Sequence, residues 1–284
     1  MASSVDSFGV WTRMGTIRLD EMDGIKLMNR IDSKYLTNEV VLEKILEMAA
    51  DHGYRALEVK GSTISPYNSM YYDTDSLKMF TDHHNRRLVR QKVRTRVYLS
   101  SGATFLEIKR KNNRGRTKKK RIGIPGSDFM DFRGNAEADA FLAEKSSYTA
   151  DMVKPRMETV FRRITLVNST RTERVTIDTS LNFVNHDTGL RADLGPAVII
   201  ELKQDGRVGS EMKGILLDCR VKPVRVSKYC IGTTITNPGA KSNRFHEKVR
   251  MIEKVTGQKS SPPIPPWIPS TLTIPGRSAS WGRS

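Results

Sequence analysis

Three short stretches of this chain place like groups two residues apart: Arg94-Thr95-Arg96, Glu107-Ile108-Lys109 and Glu201-Leu202-Lys203. Alternate side chains of an extended strand point to opposite faces. The charges of each stretch therefore share one surface, while Val93 and Val97, Leu106 and Ile108, or Val198, Ile200 and Leu202 occupy the other. Such a sheet either wets its charged face or curls so that this face lines an enclosed channel. The reading adopted is the second, and a closed bore lined by many cations and a few carboxylates calls for a polyanion accompanied by a metal ion.

The charge balance narrows the guest. Lys and Arg number 48 against 31 Asp and Glu, a formal net charge of +17 in 284 residues. Fifteen of these cations, against the single acid Glu107, fall between Arg86 and Arg121. An excess of this size speaks about partners: nucleic acid, anionic lipid or phosphorylated metabolites. Aromatic residues make up only 7% of the chain and few interleave the basic block, so platforms for stacking bases are missing and nucleic acid is not expected. Cys219 and Cys230 have no His pair at zinc-ligand spacing and read as reduced thiols. No run of 18 apolar residues exists, and the first residues lack the pattern of a secretory signal, so the expected location is cytoplasmic, with a membrane-attached partner compatible.

The length suits one large β-rich domain. Residues 1–18 read as a leader, residues 19–237 as the folded domain and residues 238–284 as a disordered tail rich in Pro and Ser, including SPPIPPWIP from Ser261 to Pro269. Within the domain, a helical turn is expected over 19–27, strands over 28–37, 55–60, 69–73, 91–99, 104–111, 117–124, 157–167, 174–178 and 197–204, and helices over 39–50, 128–148 and 210–219. Residues 76–85 read as a short helix or loop, and 225–231 as a helix or final strand.

Arg94, Arg96, Lys109, Lys119 and Arg121 fall on period-2 faces of consecutive strands, so in a meander they form a grid of cations. The Arg fork grips two phosphate oxygens and Lys adds a compact charge. Glu107 and Glu201 each precede a Lys by two residues, an arrangement that sets an oxygen ligand for Mg²⁺ or Mn²⁺ beside a phosphate-gripping ammonium. The His83-His84 pair reads as a surface loop, and neither a Walker loop nor a nucleophilic triad is present.

Read in order, RIDSKY (30 to 35), YYDTDSLKMFTDHHN (71 to 85), KVRTRVY (92 to 98), FLEIKRKNNRGRTKKKRI (105 to 122), RVTIDTSLNF (174 to 183), AVIIELK (197 to 203) and VSKY (226 to 229) resemble the VTC domain of polyphosphate polymerases, within the triphosphate tunnel metalloenzymes or CYTH-like proteins. The resemblance implies an α+β fold in which an antiparallel β-barrel forms a tunnel, with helices packed outside and plugging one end. It implies transfer of the terminal phosphoryl group of ATP to inorganic polyphosphate, with pyrophosphate or orthophosphate as candidate primers. Carried over motif by motif, Lys34, Arg94, Arg96, Lys109, Lys119, Arg163, Arg174, Lys203 and Lys228 would hold phosphates, Glu201 would bind Mn²⁺ or Mg²⁺, and Ser227 would add a hydroxyl contact. Arg94, Arg96, Lys109 and Glu201 are the expected catalytic group. Phe161 stands where the family often carries Tyr, and His83 or His84 where a basic residue is expected.

Two competitors remain open on the sequence. One is a tunnel triphosphatase, with Glu107 activating water, although the first strand carries the single carboxylate Asp32 where hydrolases generally present two Glu. The other is a non-catalytic polyanion binder.

Overall fold

The computed structural model describes residues 4–22, 30–206 and 208–259. β1 (Thr16–Ile17) precedes β2 (Arg30–Asn38), whose last residue caps α1 (Glu39–Asp51) by accepting from the Val41 amide. β3 (Arg55–Leu57), β4 (Ile64–Asp73) and α2 (Lys78–His84) follow. The basic block forms a meander of β5 (Arg90–Tyr98), β6 (Thr104–Lys111) and β7 (Thr117–Gly123). Its two turns use Gly102 and Gly115 at positive φ, a backbone state that a Cβ disfavours. After α3 (Ala136–Lys145) come the long strands β8 (Lys154–Val167) and β9 (Glu173–Asn185), then β10 (Arg191–Asp193) and β11 (Ala197–Asp205). α4 (Glu211–Asp218), α5 (Lys228–Thr236) and α6 (Asn243–Thr256) complete the described chain.

The strands join in the order β2-β11-β9-β8-β4-β5-β6-β7, every neighbour antiparallel, and curl into a half-barrel. β2 does not end this wall bare, because the Val224 amide donates to the Lys34 carbonyl at 2.7 Å and Pro223 pairs with Tyr35. β7 is the opposite edge, where Lys118 and Lys120 keep the strand wetted and discourage pairing with another chain.

Burial follows the two faces. On the outer side, α1 and α4 cover Val175, Ile177, Val198, Ile200 and Leu202, and α3 covers Val93, Leu106 and Ile108. These are the apolar partners of the charged positions. The inner face is polar over most of its extent and becomes apolar toward one end, where Leu36, Phe161, Leu181, Phe183 and Ile199 pack with Tyr229, Cys230 and Ile231 of α5, Phe80 of α2 and Ile252 of α6. A bulge makes this change possible within β9. Ser180 takes a positive φ and the register against β8 shifts there, so Asp178 on one side of the bulge and Leu181 and Phe183 on the other all face inward.

Several expectations are corrected. Residues of the supposed leader pack into the outer core through Val5, Phe8, Val10 and Met14. The region beyond 238 is not all tail, since α6 spans Asn243–Thr256 and seats Phe245, Val249 and Ile252 on the inner apolar cluster. His83 and His84 belong to α2, with His84 buried and its ring nitrogens on Asn85 and Asn243. The turn expected over 19–27 and the Pro-rich stretch of the tail fall largely or wholly outside the described residues. No helix among the described residues is long and apolar enough to cross a membrane.

Candidate functional site

Cross-strand register assembles the inner face one row at a time. Glu201 of β11 lies opposite Lys34 of β2 and Thr176 of β9, and Lys203 lies opposite Asp32 and Arg174. Arg163 of β8 lies opposite Asp178. On the other wall, Arg94 of β5 faces Tyr71 of β4 and Glu107 of β6, Lys92 faces Lys109, and Lys119 and Arg121 of β7 sit beside Lys109 and Glu107. The two walls sense each other across the concavity: Glu201 is held ionised well below the usual carboxylate range despite its burial, by Lys203, Lys34, Lys109 and Arg163.

Two inner carboxylates are saturated. Glu107 accepts from Arg94 Nε at 2.8 Å and from Lys119 Nζ at 2.9 Å. Asp178 accepts from Arg163 Nε at 2.6 Å and NH2 at 2.8 Å, and from the Lys228 ammonium. Burial opposes ionisation of both, and the neighbouring cations outweigh it, so both stay charged. Glu201 differs. Its ion pair is with Lys203, Nζ to Oε1 at 3.3 Å, and the hydroxyl of Thr176 beside it is buried without a partner among the described residues. A carboxylate held by a single ion pair among the described residues, next to an unsatisfied hydroxyl, fits a hard cation that draws its remaining ligands from water or phosphate. No three His, Cys, Asp or Glu side chains gather as a complete protein-only ligand set among the described residues.

The cations outnumber these acids. Lys34, Lys92, Arg96, Lys109 and Arg174 make no ion pair among the described residues, and neighbouring cations crowd them. Arg94 foremost, together with burial, presses Lys109 well below the usual lysine value. Burial, with Arg94 and Arg163, brings Arg96 down to about 10. Burial is also the main cause of the lowered values of Lys92, Lys203 and Lys228. An unliganded cluster in this state stores repulsion that an anion relieves.

The start of α5 reaches across the concavity. Ser227 caps the helix, its hydroxyl accepting from the Cys230 amide and from Lys92 Nζ at 2.8 Å, while Lys34 Nζ donates to the Val226 carbonyl at 3.2 Å. The hydroxyl of Ser227 is thus already engaged, by β5 and by its own helix. Arg121 lies at the exposed rim of the inner face, opposite Glu107 on the edge strand, with its guanidinium 4.4 Å from the centre of the Phe105 ring. The remaining expected positions, Lys34, Arg94, Arg96, Lys109, Lys119, Arg163, Arg174, Glu201, Lys203, Ser227 and Lys228, share the one inner surface. Sequence reasoning missed Lys92, Asp178 and Tyr71. The first two continue the period-2 series of Arg94 and Arg174 and were legible on that ground.

A model of the VTC domain matches residues 29–237. The chain belongs to the VTC-domain family. Among solved structures, it is similar to a putative adenylate cyclase of Bacillus halodurans, at 11% identity over 70% of this chain and 96% of the other, with a TM-score of 0.43. It is likewise similar to a putative adenylyl cyclase of Hippeastrum, described as having a dominant triphosphatase activity, at 12% identity over 72% and 95% of the two chains, with a TM-score of 0.47. A comparison with curated proteins gives no match.

Proposed function

We propose that this VTC-domain protein is a polyphosphate polymerase, passing the terminal phosphoryl group of ATP to the end of an inorganic polyphosphate chain and releasing ADP. The observation that carries the reading is the set of five inner cations without ion pairs among the described residues, Lys34, Lys92, Arg96, Lys109 and Arg174, on the same inner face as Glu201, whose ion pair is with Lys203. Phosphoryl transfer asks chiefly for alignment and neutralisation of charge. Arg94, Arg96 and Lys109 on one wall and Arg163, Lys203 and Lys228 on the other supply both for a triphosphate and an acceptor end lying between them. Mn²⁺ or Mg²⁺ held by Glu201 would withdraw charge from the transferring group when bound. A deprotonated phosphate end is already a nucleophile, so no general base is needed.

Hydrolysis would need water to be activated, and Glu107 was the expected base. That carboxylate is committed to Arg94 and Lys119 and its basicity is suppressed, which favours phosphate over water as acceptor. On this reading α5 closes the apolar end of the tunnel, with its capped start and Lys228 turned toward the phosphates.

The test is Glu201→Ala, followed by ADP release from ATP with Mn²⁺ and, separately, by polyphosphate binding. Release should fall to background while binding persists or tightens, because a negative charge has left a cationic surface. Undiminished release would remove Glu201 from the metal site.

A further inference from the structure

Tyr71 occupies the floor of the cationic cluster and no role has yet been given to it. It lies on β4 with 6% of its surface exposed, its ring stacked on Tyr229 of α5 at 5.4 Å and 20°. Its hydroxyl oxygen accepts from Arg94 NH1 at 3.2 Å. No carbonyl or carboxylate among the described residues takes the proton of that hydroxyl, so a buried phenol faces the inner surface with one donor to give.

The groups around it are one-sided in charge. β5 presents Lys92, Arg94 and Arg96, β6 presents Glu107 bound to Arg94, with Lys109 beside it, and α5 presents Lys228, with Asp178 of β9 behind it. The Cys230 thiol of α5 sits on His83 of α2, and burial raises its value, so it stays neutral. Met157 of β8 and Phe80 of α2 supply apolar walls.

We infer that Tyr71 is a phosphate-contacting residue of this site, donating its phenolic proton to an oxygen of the polyphosphate held by Arg94 and Arg96, and that the site loses affinity when that proton is lost. The inference rests on the reading that the concavity binds phosphate chains. Burial alone would push the phenol up, but Arg94, Arg96, Lys228 and Lys92 overcome it and bring it down to about 8. The sign follows from linkage. The anion prefers the protonated phenol, so binding raises the phenol's titration point, and affinity present below the free value is lost as pH rises through it.

Binding of inorganic tripolyphosphate by calorimetry, from pH 6.5 to 9.5, compares the protein with Tyr71→Phe, which keeps the ring and its stacking. At neutral pH the variant should bind about tenfold more weakly, the loss of one hydrogen bond to a charged group. Above about pH 8 the parent should lose this advantage and, as the phenolate adds a negative charge that Phe lacks, fall to or below the variant. Lysines away from Tyr71 affect both proteins alike, whereas Lys92 and Lys228 interact with its phenolate, so the tyrosine titration itself is read separately. In parallel, absorbance at 295 nm should reveal a tyrosine that ionises near pH 8 in the protein and not in Tyr71→Phe, and tripolyphosphate should move it to higher pH. Equal affinity of the two proteins at every pH overturns the inference, as does the lack of that titration. If neither protein binds tripolyphosphate, the phosphate reading itself fails and carries this one with it.

Discussion

Asp178 shows how single residues hold the site in tension. It is 2% exposed between the Arg163 fork and the Lys228 ammonium, so it anchors the start of α5 to β9 while neutralising two cations. Asp178→Asn would leave both charges buried against each other and should destabilise the fold by about 3 kcal/mol. Thermal melts should show the loss, and saturating tripolyphosphate should restore much of it; a variant as stable as the parent without added anion would contradict this role. The carboxylates also set the acid limit. Glu107, Asp178 and Glu201 all titrate below their ordinary values in the folded protein. Their contribution is therefore complete above about pH 5, where the unfolded carboxylates are ionised, and is lost as pH falls toward the folded values. Circular dichroism from pH 7 to 2 should show stability declining below about pH 5, with a shallower decline in Asp178→Asn.

Among the elements, α5 is the one whose position most affects the inner surface. Gly232 lets it approach, since a Cβ there would meet Phe183 Cδ1 at 2.5 Å and Met157 Sδ at 3.0 Å. Gly232→Ala should force the helix away from β8 and β9 at a cost of about 1–3 kcal/mol and weaken tripolyphosphate binding, because Ser227 and Lys228 move with it. Unchanged stability and binding in calorimetry would show that the helix does not set the inner surface. The alternation of charge in β5, β6 and β11 was readable from the chain because it depends on local geometry alone. Which carboxylate meets which cation was not, since Asp178 meets Lys228 across 50 residues, a partnership created by the bulge at Ser180 and the cap at Ser227. Tyr71 escaped notice for a related reason: a tyrosine in a strand reads as a packing residue until Arg94 is found on its oxygen. α6 was masked by the composition that follows it, although Phe245, Val249 and Ile252 fall at helical spacing.

For the molecule as a whole, part of the basic charge is turned inward on a curled sheet, where Arg94, Arg96, Lys109, Lys203 and Glu201 share one concavity and the apolar partners of the same strands bury under α1, α3 and α4. Such an arrangement has a stable resting state only with counter-charge, which the three inner carboxylates provide in part. On the proposed reading, an anion of repeating phosphates would supply the remainder, lying along the polar part of the inner face.

Incubation of the protein with ATP and Mn²⁺, with the products resolved by gel electrophoresis and ADP measured alongside, puts the phosphate-transfer reading to its most direct test. Long polyphosphate chains formed in step with ADP are the expected result. Orthophosphate and ADP without polymer would contradict it and assign the same surface to hydrolysis.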